Sequence, residues 1–223
     1  MELYGAPFLN HKKKLMIKLF KIIFLILLAT SLAKAKSDFR DVGIGVNILD
    51  IPMEKYTNFR CFNKTKITSW SDYKKCNLTK GYYQLYYQYD NKYALNENYE
   101  GTQIAGHPVL IHLYINKLGK IDRIKINSDP KASMYYQKQA HLFWIRAYGK
   151  YGSKNWHCLN NKQENNHIKI GKEYLNKICK KIIDDKALSI KSELYKSKDN
   201  DKLNLISRFE FNLYSLEYKE KSW

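Results

Sequence analysis

The stretch from His107 to Asn127, HPVLIHLYINKLGKIDRIKIN, decides the fold. Every second residue of its first half is apolar: Val109, Ile111, Leu113 and Ile115. After a short turn at residues 116–119, the segment Ile121 to Ile126 returns with apolar residues of its own. Strict alternation is typical of a strand with one buried face, and two such segments joined by a glycine-containing turn predict a β-hairpin. We therefore predict an antiparallel strand pair here.

Two further regions show the same period. Tyr82 to Tyr89, YYQLYYQY, is rich in the aromatic residues that favour strands. Its alternation places Tyr83, Leu85, Tyr87 and Tyr89 on one face and Tyr82, Gln84, Tyr86 and Gln88 on the other. Near the C-terminus, residues 188–194 and 205–213 alternate on either side of a polar turn. This pattern predicts a second hairpin.

One segment has helical rather than strand periodicity. Apolar residues recur at steps of three or four along it: Ala132, Tyr136, Ala140, Phe143, Ala147 and Tyr151. Asp129-Pro130 is suited to open a helix, and Gly149 and Gly152 to end it. The sequence therefore predicts an α+β fold, in which an antiparallel sheet of about four to six strands carries one main helix, about residues 130–149, on one face.

The N-terminus has the pattern of a secretory signal peptide. Lysines precede an apolar run, Ile22 to Leu28, and Ala33-Lys34-Ala35 forms a small-residue cleavage pattern. We predict that residues 1–35 are a signal peptide, starting at Met1 or at Met16, and that residues 36–223 form a single exported domain, periplasmic or secreted. An uncleaved membrane anchor is the alternative. No second apolar run is long enough to span a bilayer.

The four cysteines all follow the predicted signal. An even number in an exported chain favours two disulfides, for which three connectivities exist. We favour Cys61–Cys76 and Cys158–Cys179, because the members of each pair are close in sequence. A zinc site is the competing interpretation, but no C-x-x-C spacing supports it. The sequence predicts no metal ion and no cofactor.

Charge is the strongest compositional signal. Residues 36–223 contain 33 Lys and Arg against 20 Asp and Glu. Such an excess favours anionic partners, which outside the cytoplasm would be lipid headgroups or acidic glycans. Nucleic acid is not expected for an exported chain. A drift toward Lys, Asn, Ile and Tyr from AT-rich coding would raise the charge without any partner.

Two local features are candidate ligand contacts. The segment from Glu100 to Pro108 includes Gly106 and His107 directly before a core strand, where glycine allows close backbone approach and histidine titrates near neutrality. A strand-entry turn is the structural alternative. Tyr82 and Tyr86 are the second feature, since tyrosines exposed on a strand bind sugars or stack on bases, whereas buried ones are core.

No catalytic motif is present. The chain lacks the G-x-S-x-G and H-E-x-x-H patterns, and no pair of carboxylates is singled out by its spacing. The leading hypothesis is a basic, disulfide-bonded binding module of the cell envelope without enzymatic activity. The alternatives are a small envelope hydrolase acting on polysaccharide or peptide, and a membrane-tethered assembly factor.

Overall fold

The computed structural model describes residues 39–90, 99–199 and 202–220. Within them the chain forms one antiparallel sheet of eleven strands. The strands are β1 Tyr56–Cys61, β2 Leu78–Thr79, β3 Tyr82–Tyr89, β4 Thr102–Ile104, β5 His107–Ile115, β6 Ile121–Ser128, β7 His157–Asn160, β8 His167–Ile168, β9 Leu175–Ile183, β10 Lys186–Asp199 and β11 Lys202–Ser215. Their order is β1-β3-β5-β6-β11-β10-β9-β7, while β2 pairs with β3, β4 with β5, and β8 with β10.

The strands predicted from alternation are confirmed. β5 and β6 pair in a register that places Leu113 opposite Ile124 and Ile111 opposite Ile126. These four side chains are at most 1% exposed. β3 has the predicted bounds, and the C-terminal hairpin consists of β10 and β11, each of 14 residues. An apolar residue at every second position therefore predicted the centre of the sheet.

The predicted number of four to six strands was wrong. The additional strands include β2, β4, β7 and β8, which are two to four residues long. All four residues of β7 are exposed, so its sequence contains no apolar alternation to recognise. Backbone pairing with β9, not burial, defines that strand.

The helix predicted for about residues 130–149 is present but begins later and is interrupted. Helix α1 spans Met134–Gln139, a 3-10 turn follows at Ala140–Leu142, and helix α2 spans Phe143–Tyr151. Asp129 does not cap it. Its carboxylate instead accepts hydrogen bonds from the backbone N–H groups of Gly101 and Lys131, both at 2.8 Å, and holds a turn.

The helical segment covers one face of the sheet. Phe143 stacks on Phe209 with ring centroids 4.0 Å apart and planes within 4° of parallel. Ala140 and Ala147 are buried on the same side. On the other half of this face, Trp70 from the 3-10 helix Trp70–Lys75 packs edge-on against Phe59 at 4.5 Å and Tyr87 at 5.2 Å. This face is therefore the core.

Both favoured disulfides are confirmed. Cys61 bonds to Cys76, which joins β1 to the end of the 3-10 helix over β3. Cys158 bonds to Cys179, directly opposite it in the β7–β9 pair. No free cysteine is found in the described part of the chain, which removes the zinc interpretation for these residues.

The predicted signal peptide lies outside the described residues. Among the helices of residues 39–90, 99–199 and 202–220, none has both the length and the apolar character needed to cross a bilayer.

Candidate functional site

The second face of the sheet carries polar and aromatic side chains. Strand pairing fixes which residues share it, because Tyr86 pairs with His112, His112 with Lys125, and Lys125 with Asn212. We call this side the open face. Helix α3, Leu216–Glu220, packs on it through contacts with β6, β10 and β11. Its central residues are Gln84, Tyr86, His112, Tyr114, Arg123, Lys125, Asn212 and Tyr214.

Four tyrosines and one arginine form the first cluster on the open face. The Arg123 guanidinium carbon lies 4.6 Å from the ring centroid of Tyr114, 5.2 Å from Tyr214 and 5.6 Å from Tyr218. Tyr218 also contacts Tyr82, at 5.0 Å between ring centroids. We call these five residues the tyrosine cluster. Cation–π contacts of this kind hold an arginine in place while it keeps its charge.

Hydrogen bonds fix the same guanidinium. Asn212 Oδ1 accepts from Arg123 Nε at 3.1 Å and from a terminal nitrogen at 2.6 Å, while the Tyr218 hydroxyl accepts from the other terminal nitrogen at 3.0 Å. Burial tends to lower the pKa of Arg123, but the surrounding tyrosines outweigh it and raise that pKa. Arg123 is therefore a fixed positive charge on the open face.

A second cluster consists of stacked rings. Phe62 and Tyr86 are stacked with centroids 6.0 Å apart and planes 10° from parallel, and Tyr86 lies 4.1 Å from the His112 ring. The Arg60 guanidinium carbon is 5.2 Å from the Tyr86 centroid. We call Phe62, Tyr86 and His112 the ring stack. Phe62 is 59% exposed, so this stack offers a flat apolar surface beside a cation.

His112 is the buried member of the ring stack. Its side chain is 7% exposed, and its Nε2 has no hydrogen-bond partner among the described residues. Burial first, and then the nearby charges of Lys125 and Arg123, lower the pKa of His112 from 6.5 to about 3. The imidazole is therefore neutral at physiological pH.

This lowered pKa makes folding stability depend on pH. Because the unfolded chain binds a proton near pH 6.5 and the folded chain does not until about pH 3, stability is complete above pH 6.5 and falls as the pH decreases through that window. Between pH 7 and pH 5, His112 alone should cost about 2 kcal/mol. Urea denaturation of the wild type and His112→Gln at both pH values measures this.

His112→Gln provides the control. His107 and His141 also have pKa values lowered by burial, so they add to the dependence of wild-type stability on pH. The difference between the two proteins isolates His112. Equal losses of stability in wild type and variant would contradict the assignment.

Ion pairs occupy the other half of the open face. Lys125 Nζ lies 2.8 Å from Glu210, and Glu193 pairs with Lys191 at 2.9 Å and with Arg208 at 2.5 Å. A cavity of about 570 Å³ lies beside these residues, at the end of β6. Three carboxylates line this cavity, those of Asp129, Glu193 and Glu210.

Two of these three carboxylates, Glu193 and Glu210, are poor candidates for the acid of a glycoside hydrolase. Burial raises the pKa of Glu193, but hydrogen bonds from Arg208 and Lys191 outweigh it, and the pKa is lowered. The pKa of Glu210 is lowered in the same way, against the effect of burial, by Lys125 and Asn212. A glycosidase acid needs a raised pKa to hold its proton at neutral pH. Glu193 and Glu210 are instead both ionised.

The structure does not bring the four predicted ligand-contact residues together. Tyr82 and Tyr86 lie on the open face, one in each aromatic cluster. Gly106 has φ +83° in the turn between β4 and β5, which accounts for a glycine there. His107 lies on the opposite face, 5.6 Å from the Phe143 ring. A ligand at Gly106 and His107 stays a prediction.

Sequence reasoning missed most members of the two clusters: Phe62, His112, Tyr114, Arg123, Tyr214 and Tyr218. A signal existed for His112, Tyr114 and Arg123, which occupy the polar phase of predicted strands. Tyr214 directly follows the predicted strand 205–213. Only strand order shows that these positions are neighbours, because β6 and β11 pair across 82 or more intervening residues. Phe62 and Tyr218 lie outside the strands and gave no pattern.

No protein-family model matches this chain, and comparison with curated proteins and with solved structures finds no match for it. In the described residues, no group of three or more His, Cys, Asp or Glu side chains is placed to hold a metal ion.

Proposed function

We propose that this chain is an exported binding domain without enzymatic activity that uses the open face to bind an anionic glycan. The observation that carries the proposal is the pairing of aromatic rings, among them the exposed Phe62 and the half-buried Tyr86, with fixed cations on one sheet face. The ring stack supplies a flat surface beside Arg60, and the tyrosine cluster supplies Arg123. The two disulfides support a location where thiols become oxidised.

The chemistry of a charged sugar fits both parts of this surface. Aromatic faces pack against the apolar C–H faces of sugar rings, and guanidinium groups donate paired hydrogen bonds to carboxylates and sulfates. Strand backbones hold these side chains in fixed positions, except for Phe62 and Tyr218, so that little conformational entropy is lost on binding. A glycan chain extended across β1, β3, β5 and β6 would meet the ring stack first and the tyrosine cluster next.

Long-range attraction supports the same partner. The excess of basic over acidic residues, 33 against 20 in residues 36–223, favours anionic over neutral glycans. Many open-face cations are already paired with acids, including Arg60, Lys125 and Lys191. Charge should therefore speed association, while the aromatic rings contribute most to holding the glycan.

The test is calorimetric titration of the protein with polygalacturonate, and with dextran as the neutral comparison. We expect binding to polygalacturonate that weakens as salt rises, and no binding to dextran. Replacing both Phe62 and Tyr86 by alanine should weaken it about tenfold, since each aromatic contact contributes about 0.5–1.5 kcal/mol. The control is Tyr135→Ala, which removes a tyrosine that is 64% exposed on α1, on the other side of the sheet.

Other outcomes would overturn the proposal. Equal affinity for dextran, or no affinity for polygalacturonate, would remove the anionic glycan as the ligand. Binding to vesicles of anionic phospholipid without binding to polygalacturonate would assign the open face to lipid headgroups. An equal loss with Tyr135→Ala would show that the open face is not the site.

A further inference from the structure

A second concave site lies on the helix-bearing face, away from the open face. It is a cleft of about 400 Å³ between the 3-10 turn Ala140–Leu142 with the start of α2 on one side and β9 with β10 on the other. The cleft exists because the helical segment packs on β11, through Phe143 on Phe209, and leaves the start of β9 uncovered, while Tyr148 contacts Cys179 further along that strand. Its volume falls within the range of small-molecule sites.

The base of the cleft is apolar apart from Ser192. Strand pairing places Cys179 opposite Ile190 and Leu175 opposite Leu194, so that these side chains lie next to one another on the helix-bearing face. Cys179, Ile190 and Leu194 are 4%, 1% and 9% exposed. Trp144 forms the helical wall. An aliphatic or aromatic ligand body would remove this indole and the strand side chains from water.

The rim of the cleft is charged. Lys172 and Lys177 both line it, and neither forms an ion pair with any described residue. Glu173 is the acidic residue of the lining. Lys177 follows Leu175 and precedes Cys179 on the same face of β9, so its ammonium group extends from the apolar base. Two lysines against one glutamate give the rim a net positive charge.

His141 is the remaining ionisable group of the cleft. Its Nδ1 lies 3.2 Å from Ser207 Oγ. Burial lowers the pKa of His141, against the opposing effects of the Lys138 backbone and Glu173. The imidazole is therefore neutral at pH 7, and the lysines provide the cationic charge.

We propose that this cleft binds a small amphipathic carboxylate, with the apolar body against Trp144 and the β9–β10 base and the carboxylate at Lys177. The principle is the common one for small-molecule sites: an apolar cavity with a few convergent polar groups that fix orientation. The site shares no residue with the open face and does not depend on glycan binding.

The test is calorimetric titration with decanoate, with decanol as the uncharged ligand of the same chain length. We expect decanoate to bind more tightly than decanol. Lys177→Gln should weaken decanoate about fivefold and change decanol less than twofold, because only the carboxylate interacts with the ammonium group. Trp144→Ala should weaken both ligands. Lys117→Gln, in the β5–β6 turn, is the matched control and should change neither.

The comparison of two ligands on one variant keeps the test informative. If Lys177→Gln weakens decanoate and decanol equally, the lysine does not bind the carboxylate and the proposal fails. If the wild type binds neither ligand, the cleft is not a site for this class of molecule. Retained binding of polygalacturonate by Lys177→Gln and Trp144→Ala would confirm that the open face is separate.

Discussion

Replacing Phe211 with alanine is expected to lower the free energy of unfolding by about 3–5 kcal/mol. Phe211 is 1% exposed and lies opposite Ile126 on β6 and Ile190 on β10. Its ring stacks on Tyr151, with centroids 5.8 Å apart, and meets Phe39 edge-on at 5.9 Å. Truncation would leave a cavity where the sheet, the helical segment and the N-terminal described residues meet. Urea denaturation at pH 7 measures the loss.

A position on the same strand provides the control. Leu203 also belongs to β11 but is 57% exposed, so Leu203→Ala should change stability by less than about 0.5 kcal/mol. Similar losses from both variants would show that strand propensity, not burial, governs the effect. A loss below about 1 kcal/mol for Phe211→Ala would contradict the packing of the helix-bearing face.

The strands with a period of two could be predicted because a strand with one buried face has an apolar residue at every second position. Four residues of β5 are all at most 1% exposed: Val109, Ile111, Leu113 and Ile115. Their spacing of two is that of side chains pointing to one buried face of a pleated strand. The disulfides were predictable for a related reason. Two cysteines close in sequence have few ways to pair, and both favoured pairs formed.

Strands β7 and β8 could not be predicted because backbone pairing defines them. β7 has no buried residue, and β8 pairs with β10 through two residues only. The start of the helix was misplaced because the Asp129 carboxylate can accept hydrogen bonds from a helix N-terminus or from other backbone N–H groups. Its sequence context suits a helix cap, whereas its carboxylate binds Gly101, which lies 28 residues away in the chain.

The sequence could place two members of the candidate site on one face of a strand. Alternation correctly assigned Tyr82 and Tyr86 to the less buried face of β3. It could not show that β6 and β11 are neighbours, and this pairing brings Arg123 opposite Tyr214. A sequence shows which residues share a face of one strand, but the order of strands decides which residues share a site.

Replacing Gly101 with alanine should cost about 3 kcal/mol or more, because the new methyl group has no space. A Cβ built at Gly101 would lie 1.8 Å from the carbonyl oxygen of Val109 and 2.9 Å from Leu110 Cδ2. Neither side can move easily. The Gly101 N–H donates to Asp129 at 2.8 Å, its carbonyl accepts from Gln88 at 2.7 Å, and Val109 is in the β5–β6 ladder.

Gly149→Ala is the matched control, since a Cβ at Gly149 would meet nothing within 4 Å. Gly149 is exposed within α2, where alanine should stabilise by about 0.5–1 kcal/mol. Urea denaturation should therefore show a lower free energy of unfolding for Gly101→Ala and a higher one for Gly149→Ala. A tolerated Gly101→Ala would mean that close backbone packing does not require this glycine. The interpretation of residues 100–108 as a ligand-contact loop would then gain support over a purely structural turn, since glycine there would need another explanation.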